Sequence, residues 1–381
     1  MYIHRHLEST IIDAAKYFPV VTVTGPRQSG KTTMLRHLFA DLPYYSMENL
    51  ATRALAMNDP IGFLSQHPQG MILDEVQNVP QLLSYIQGIV DEHREVRFVL
   101  SGSANFSLLK NVTQSLAGRT AVYELMPLSY RELGDESYIA DVDSLIFNGL
   151  YPAICTGSNK PELLYPAYIK TYLERDVRDL LAVRNLMQFE VFLRLCAGRI
   201  GSVLNASQLA SEVGVTSKTI TEWLSILQTS YVIHLLPPYY DNSRKRLTKQ
   251  PKIYFCDTGL ACALLNIESR KELAFHNMRG HLFENLIVME LLKRRLNQGK
   301  APNLYFYRDS NQNEVDILAG SLLSMEAYEI KSAMTYNSSF EKTLCKVNEW
   351  IAPTITSRTI VYAGEEERTG TEINLLNFRH L

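Results

Sequence analysis

One eight-residue segment carries the residue types that bind phosphate groups at the start of a helix. It follows an apolar run at residues 20–24 and reads Gly25-Pro26-Arg27-Gln28-Ser29-Gly30-Lys31-Thr32. This is the pattern G-x-x-x-x-G-K-[ST], in which backbone N–H groups cradle the β- and γ-phosphates. Lys31 would reach those phosphates and the Thr32 hydroxyl would be a ligand of Mg²⁺, with Thr33 as the next residue of the site. The segment therefore predicts that the chain binds a nucleoside triphosphate.

Two adjacent carboxylates follow a second apolar run at residues 71–73. Asp74 would hold the hydration shell of Mg²⁺, and Glu75 would polarise the attacking water. Two acids at a strand end are usually only solvated, but this pair comes about 40 residues after a complete phosphate loop. That position favours hydrolysis of the nucleotide.

A third apolar run, 98–100, ends in Ser101-Gly102-Ser103. One hydroxyl, with Ser103 preferred, could sense the γ-phosphate or position the water. Alternatively, both serines only shape a glycine-containing turn, and the two interpretations stay open.

Alternating strands and helices must position these residues. Each of the three apolar runs ends in polar residues, and helical patterns over 33–39 and 80–91 lie between them. Such alternation predicts an α/β fold with a parallel sheet, which binds ligands at the carboxyl ends of its strands. We assign this predicted domain to residues 1–126.

Three further segments complete the predicted organisation. Residues 127–184 show helical periodicity, as over 163–181, and form a lid or linker. Residues 185–265 carry a helix-turn-helix pattern: Ser207 caps a helix over 208–213, Gly214 ends it, and Ser217 starts a second over 218–228. Runs at 231–236 and 252–255 are the predicted strands of a wing. Residues 266–381 begin with an amphipathic helix over 282–296 and continue as strands at 304–307, 314–318, 327–330 and 359–363.

The bulk composition narrows the class of protein. The 381 residues carry a net charge of −2, so no global field draws the chain to nucleic acid or membrane. Its five cysteines are scattered without a zinc-binding pattern, as in a reducing cytoplasm. The first residues lack the apolar core of a signal peptide, and no run of 18 apolar residues exists. We expect a cytoplasmic protein without a membrane segment.

These motifs resemble the AAA superfamily of ATPases, and residues 1–265 resemble a prokaryotic group of them with a C-terminal domain of unknown function. Beyond the phosphate loop, the landmarks are Leu73-Asp74-Glu75-Val76-Gln77, Ser101-Gly102-Ser103, Leu116-Ala117-Gly118-Arg119, Pro127-Leu128-Ser129, Gly149-Leu150-Tyr151-Pro152, Glu174-Arg175-Asp176 and Pro251-Lys252-Ile253-Tyr254. The resemblance implies ATP with Mg²⁺, and hydrolysis assisted by neighbouring subunits of a homo-oligomer.

Arg119 is the candidate for an arginine that stabilises the γ-phosphate of an adjacent protomer. Arg175 and Arg178 are rival candidates, and a surface salt bridge is the alternative role for Arg119.

Four polar residues near the C-terminus suggest a second site. Glu329 and Lys331 are two apart on a predicted strand and face the same side, and a hairpin would bring Asp316 beside them. Two carboxylates could then hold Mg²⁺ while Lys331 orients water, and Glu284 could complete the metal ligands. The arrangement resembles the restriction-endonuclease-like fold, particularly its Holliday-junction-resolvase branch. The alternative is a nuclease-like domain that has lost activity and serves as a DNA clamp or oligomerisation unit.

Three hypotheses for the function follow. In the first, the nucleotide cycle of an oligomeric ATPase regulates a DNA-facing C-terminal half. The basic segment 239–249 could follow a phosphate backbone, or it could be only a solvated charged loop, and the winged helix could be only a packing module. The predicted second helix of the helix-turn-helix argues against DNA reading, because residues 218–224 carry one Lys and one Glu. In the second hypothesis, ATP switches assembly with a protein partner. In the third, the chain is an ATP-gated, metal-dependent DNA nuclease.

Overall fold

The computed structural model describes residues 2–103, 112, 115–134, 141–171, 186–239, 249–321, 324–351 and 354–381. Arg175, Arg178 and residues 240–248 of the basic segment lie outside the described residues, as does the side chain of Ser103.

A five-stranded, fully parallel sheet forms the N-terminal part, in the order β2-β3-β4-β1-β5. Its strands are β1 Val20–Gly25, β2 Tyr44–Ser46, β3 Gly70–Asp74, β4 Arg97–Ser103 and β5 Thr120–Glu124. Its helices are α1 Glu8–Ala14, α2 Lys31–Leu38, α3 Leu50–Asn58, α4 Pro60–Ser65 and α5 Leu82–Glu92. The predicted parallel α/β fold is confirmed, and the ends of β1, β3 and β4 meet at one edge.

Helices dominate the next part of the chain, as predicted. They are α6 Val142–Asn148, α7 Pro152–Cys155, α8 Pro161–Tyr168 and α9 Leu186–Ala197. Pro152 and Pro161 each occupy a first helical position, where a missing N–H has no cost.

A pair of helices, α10 Ala206–Val213 and α11 Ser217–Thr229, precedes an antiparallel pair of strands, β6 Ile233–Leu236 and β7 Lys252–Phe255. Left-handed Gly214 ends α10 as predicted. α11 starts at Ser217 as predicted, whereas the predicted cap of α10, Ser207, was wrong by two residues. The Asn205 side chain caps α10 by accepting from two of its N–H groups, and the Thr216 side chain caps α11 by accepting from one. Assignment to the winged-helix class stays a prediction.

A mixed sheet in the order β12-β11-β10-β9-β8 forms the C-terminal part. Its strands are β8 Leu304–Arg308, β9 Glu314–Ser321, β10 Ser324–Lys331, β11 Ile355–Tyr362 and β12 Asn374–Asn377. The helices that precede its first strand are α12 Thr258–Leu264, α13 Arg270–Phe275 and α14 Arg279–Asn297, and α15 Lys342–Trp350 lies between β10 and β11. β9 runs antiparallel to β8 and β10, whereas β10–β11 and β11–β12 are parallel.

One hydrophobic core crosses the predicted boundary between residues 265 and 266. It contains Ile146 of α6, Trp223 of α11, Phe255 of β7, Phe283 of α14 and Ile317 of β9. The helical region, the helix pair and the C-terminal sheet therefore pack as one body, while the predicted domain limits themselves stay predictions. Among the described residues, every helix is too short or too polar to cross a bilayer.

Candidate functional site

The phosphate loop connects the carboxyl end of β1 to the first turn of α2. Gly25 has a φ of 148°, and a Cβ there would lie 2.2 Å from the Leu125 carbonyl oxygen, so only glycine fits. Gly30 is left-handed, with a φ of 92°, immediately before α2. The chain thus turns abruptly into a helix whose first N–H groups have no partner inside the helix and attract anions.

Lys31 is buried inside this loop. Its Nζ donates to the Gly25 carbonyl at 3.0 Å and to the Pro26 carbonyl at 2.8 Å. Burial lowers the pKa of Lys31 to about 8, and the charges of Glu75 and Asp74 oppose that shift. The ammonium is therefore poorly solvated, and an anionic phosphate beside it would stabilise its charged form.

The Asp74 carboxylate collects three hydroxyl groups from three elements. Thr32 Oγ1 of α2 and the Tyr44 hydroxyl of β2 each donate to Asp74 Oδ2 at 2.8 Å. Ser101 Oγ of β4 donates to Oδ1 at 2.5 Å. Asp74 is only 5 % exposed, so these bonds fix its orientation.

This set of oxygen atoms fits Mg²⁺. A carboxylate and a hydroxyl are hard ligands of the kind that Mg²⁺ prefers, and magnesium in nucleotide sites takes few ligands from the protein. Thr32 and Asp74 would hold the ion, and both already lie at the end of the phosphate loop.

Glu75 follows β3 in a left-handed conformation, with a φ of 53°. This backbone is uncommon for a non-glycine residue and marks strain of the kind found at functional sites. Its carboxylate accepts a hydrogen bond from Gln77 Nε2. Glu75 and the phosphate loop line the same cleft, so a nucleotide bound to the loop would lie beside Glu75.

A cleft of about 690 Å³ lies over the loop. Arg27, Gln28, Gly30, Lys31, Thr32, Thr33 and Glu75 line its floor. The helical region supplies the other wall through Pro152, Ala153, Tyr168 and Thr171. The predicted site residues of the loop that line it thus come together with Glu75. The sequence did not indicate that the helical region forms this wall, although Pro152 belongs to the landmark Gly149-Leu150-Tyr151-Pro152.

Arg5 is a further residue near the phosphate loop that the sequence did not indicate. It is 6 % exposed, and its Nη1 donates to the Ser29 carbonyl of the phosphate loop at 2.8 Å. Its Nη2 donates to the Met126 carbonyl at 2.8 Å, and its Nε lies 3.2 Å from a Glu132 carboxylate oxygen. Arg5 therefore ties the loop to the segment that follows β5.

Ser101, one of the two candidate serines on β4, donates to Asp74, while the side chain of Ser103 lies outside the described residues. The Ser103 backbone pairs beside Gly25, at the site edge of the sheet. A sensing role for Ser103 stays a prediction.

Arg119 lies away from the cleft of its own chain. It precedes β5, so it sits at the amino ends of the strands, while the phosphate loop sits at their carboxyl ends. Its guanidinium is paired with Asp91 at 2.6 and 2.8 Å and is 33 % exposed. Within one chain it forms the surface salt bridge that was the alternative role, and its action on a neighbouring protomer stays a prediction.

Tyr231, in the link between α11 and β6, contacts the site. This residue has a left-handed φ of 54°, and its hydroxyl shares a 2.9 Å hydrogen bond with Thr24 Oγ1, one residue before the phosphate loop. It also bonds to Glu124 at the end of β5, and burial raises the pKa of that carboxyl despite the bond. Nothing in the local sequence around Tyr231 indicated this contact.

The four C-terminal polar residues lie around one end of the mixed sheet. Asp316 Oδ2 accepts from the Ile330 N–H at 2.8 Å, and Lys331 Nζ donates to Glu329 Oε1 at 2.6 Å. Burial and the nearby Asp316 raise the pKa of Glu329 to about 8, against the effect of Lys331. Glu284 Oε1 accepts from the Tyr254 hydroxyl at 2.6 Å. Among the described residues, no three His, Cys, Asp or Glu side chains stand close enough together to hold a metal ion.

Three family models match successive parts of the chain. Residues 17–134 match an AAA domain, residues 139–271 a domain of unknown function (DUF8612), and residues 279–381 another domain of unknown function (DUF4143). The first match contains the phosphate loop, Asp74 and Glu75, and the last contains the C-terminal carboxylates.

Two solved structures resemble the chain weakly. A Walker-type ATPase of Pyrococcus abyssi is 14 % identical, with a TM-score of 0.43, over 69 % of this chain and 96 % of that one. A signal-transduction ATPase with a tetratricopeptide repeat sensor from Pyrococcus horikoshii is 10 % identical, with a TM-score of 0.30, over 77 % and 47 %.

Relatives cover most of the chain. The uncharacterized proteins Rv2008c of Mycobacterium tuberculosis and Mb2031c of Mycobacterium bovis are each 32 % identical over 353 residues, 91 % of this chain and 77 % of theirs. The uncharacterized protein MJ1544 of Methanocaldococcus jannaschii is 20 % identical over 331 residues, 78 % of this chain and 71 % of its own. The chain therefore belongs to the family of these uncharacterized mycobacterial proteins, and its P-loop part is an AAA domain.

Proposed function

We propose that this protein binds ATP with Mg²⁺ and hydrolyses it. The observation that carries the proposal is the 2.8 Å hydrogen bond between Thr32 Oγ1 and Asp74 Oδ2, made where Lys31 and Glu75 line the same cleft. The two motifs are distant in sequence, and their meeting reproduces the constellation that nucleotide hydrolysis requires.

In this proposal each residue has one task. The backbone of the phosphate loop and Lys31 bind the phosphates, and Lys31 neutralises the charge that develops on them. Mg²⁺, when bound by Thr32 and Asp74, supplies further charge neutralisation. Glu75 accepts a hydrogen bond from the attacking water and orients it, while Gln77 holds the Glu75 carboxylate in place.

Two substitutions test the assignment. Lys31→Ala should abolish ATP binding in a titration with a fluorescent ATP analogue. Glu75→Gln should retain binding but lower the hydrolysis rate by at least about 100-fold, the contribution of a positioned base. Glu92→Gln, at an exposed position on α5, is the matched control and should retain the full rate. If Glu75→Gln kept the parent rate, the catalytic assignment of Glu75 would be wrong.

We further propose that Arg119 acts on the ATP of a neighbouring copy in a homo-oligomer. In support, its guanidinium is partly exposed at the sheet edge opposite the phosphate loop, so a head-to-tail neighbour could receive it. Arg119→Ala and Lys31→Ala should each be inactive alone. Mixing them should restore part of the hydrolysis, because some interfaces would then contain an intact loop and an intact arginine. No recovery in mixtures that co-assemble by size measurement would contradict the proposal.

We propose that the cycle of ATP binding and hydrolysis regulates the C-terminal half of the chain. Tyr231 supports this idea, because its hydroxyl bonds Thr24 beside the phosphate loop while its backbone joins α11 to β6. A shift of the phosphate loop on nucleotide binding would therefore move Tyr231 and, through its backbone, the end of α11.

DNA is the ligand proposed for that half, and a protein partner is the alternative. The exposed face of α11 offers little electrostatic support, since Lys218 and Glu222 lie 4.0 Å apart on it. Filter binding of labelled DNA with and without ATP separates the two. Salt-dependent retention supports DNA. If no DNA is retained even at low salt, the result supports the alternative, in which ATP switches assembly with a protein partner.

A further inference from the structure

Lys252, the first residue of β7, reaches into the C-terminal carboxylate cluster, which we define as Glu284, Glu314, Asp316 and Glu329. Its Nζ lies 2.6 Å from Glu314 Oε1 and 3.4 Å from Glu284 Oε1. The side chain is 3 % exposed, and its ammonium lies 5.4 Å from the centre of the Phe306 ring. No spacing in the sequence connects this lysine with the cluster.

The lysine cannot easily leave this position, because the backbone around it is held on both sides. β7 pairs with β6 and is buried along its whole length. On its other side, the Gly201 N–H donates to the Ile253 carbonyl at 2.9 Å, and Ile253 donates to the Ser202 carbonyl at 3.3 Å. The strand that carries Lys252 is therefore fixed, and it holds the ammonium beside the carboxylates.

Every member of the cluster already has a donor from the protein. Besides Lys252, Glu284 accepts from the Tyr254 hydroxyl, and Asp316 accepts from a backbone N–H. Glu329 is paired with Lys331. A divalent metal needs several oxygen ligands around one point, and an ammonium between two of the carboxylates repels a second cation there.

We propose that the Lys252 ammonium is the resident cation of this cluster and takes the place of a divalent metal. It neutralises Glu284 and Glu314 and thereby fastens the β6–β7 strand pair, which follows the helix pair, to the C-terminal sheet. The cluster is then an electrostatic junction between two parts of the chain, and no metal-dependent cleavage passes through it.

Metal binding to the wild-type protein tests the proposal directly. Nucleotide-free protein is titrated with Mn²⁺ and the bound ion is followed by electron paramagnetic resonance, alongside Asp316→Asn. We expect the same Mn²⁺ binding in both proteins, because no ion depends on the cluster. A bound ion that disappears in Asp316→Asn would overturn the proposal. This comparison does not depend on how any lysine variant folds.

Removing the lysine tests the same idea from the other side. Lys252→Met keeps the length of the side chain but leaves two carboxylates without their cation. We expect the melting temperature to fall by on the order of 10 °C, as when a buried pair loses one partner. Adding Glu284→Gln to Lys252→Met should recover a substantial part of that loss. Lys218→Met, on the exposed face of α11, should leave melting unchanged. Unchanged melting of Lys252→Met would contradict the proposal.

Discussion

The affinity for ATP should fall as pH rises above about 8, because Lys31 loses its proton there. Burial lowers the pKa of the unliganded lysine to about 8, well below its ordinary value. Bound phosphates add negative charge beside the ammonium and raise that pKa. The liganded site therefore keeps a proton that the free site releases. Binding takes up a proton above pH 8, so affinity is full below that pH and decreases above it.

The magnitude follows from the protonated fraction of the free site. At pH 9.5, about 3 % of a group with a pKa of about 8 is protonated. The dissociation constant should then rise about 30-fold between pH 7 and pH 9.5, which is roughly 2 kcal/mol of binding free energy. The phosphates of the nucleotide are fully ionised above pH 8 and do not contribute to the change.

The assay is a titration with a fluorescent ATP analogue at constant ionic strength and Mg²⁺, at half-unit steps from pH 7 to pH 9.5. Lys31→Arg is the informative comparison, because a guanidinium stays charged throughout this range. Any affinity that it retains should be independent of pH. Lys16→Met, at an exposed lysine on the surface, should give the wild-type profile. A wild-type affinity that is constant to pH 9.5 would refute the reasoning.

Three substitutions away from the reacting groups give further predictions. Gly25→Ala should abolish ATP binding in the same titration, because its Cβ would lie 2.2 Å from a backbone oxygen. Arg5→Met keeps the aliphatic stem but removes the donors to Ser29 and Met126 and the charge beside Glu132. Calorimetry should show ATP affinity about tenfold weaker, because the phosphate loop itself loses one charge-assisted hydrogen bond. Tyr231→Phe should cost about 1–3 kcal/mol of unfolding free energy. It should also diminish the change in hydrogen exchange of α11 and β6 when an ATP analogue binds, and an unchanged response would contradict the proposed link.

Much of the N-terminal fold could be predicted because its signals are local. β1, β3 and β4 are continuous apolar runs, and the positions of α2 and α5 follow helical periodicity. β2 and β5 were missed because they are short and only partly buried, so neither shows a clear pattern. The cap of α10 is Asn205 and not the predicted Ser207, because several neighbouring polar residues can serve as a cap and only the backbone geometry selects one.

Part of the candidate nucleotide site could likewise be predicted from the sequence, and part could not. The phosphate loop needs particular residues at adjacent positions, so its spacing alone indicated phosphate binding. The Ser101 hydroxyl donates to Asp74, a contact between neighbouring strands that the residues around Ser101 do not indicate. Residues two apart on a strand share a face, so the spacing of the two serines could not select Ser101 as the partner of Asp74.

The sequence by itself determined that this chain has a phosphate loop, an acidic pair after a buried strand and carboxylates near its C-terminus, since each is a pattern of neighbouring residues. Only the tertiary structure decided which distant groups meet them. Arg5 reaches Ser29, Tyr231 reaches Thr24, and Lys252 lies among the carboxylates. Each of these contacts joins residues on different elements, and the packing of those elements is a property of the whole core. The spacing of residues along the chain therefore cannot predict these contacts.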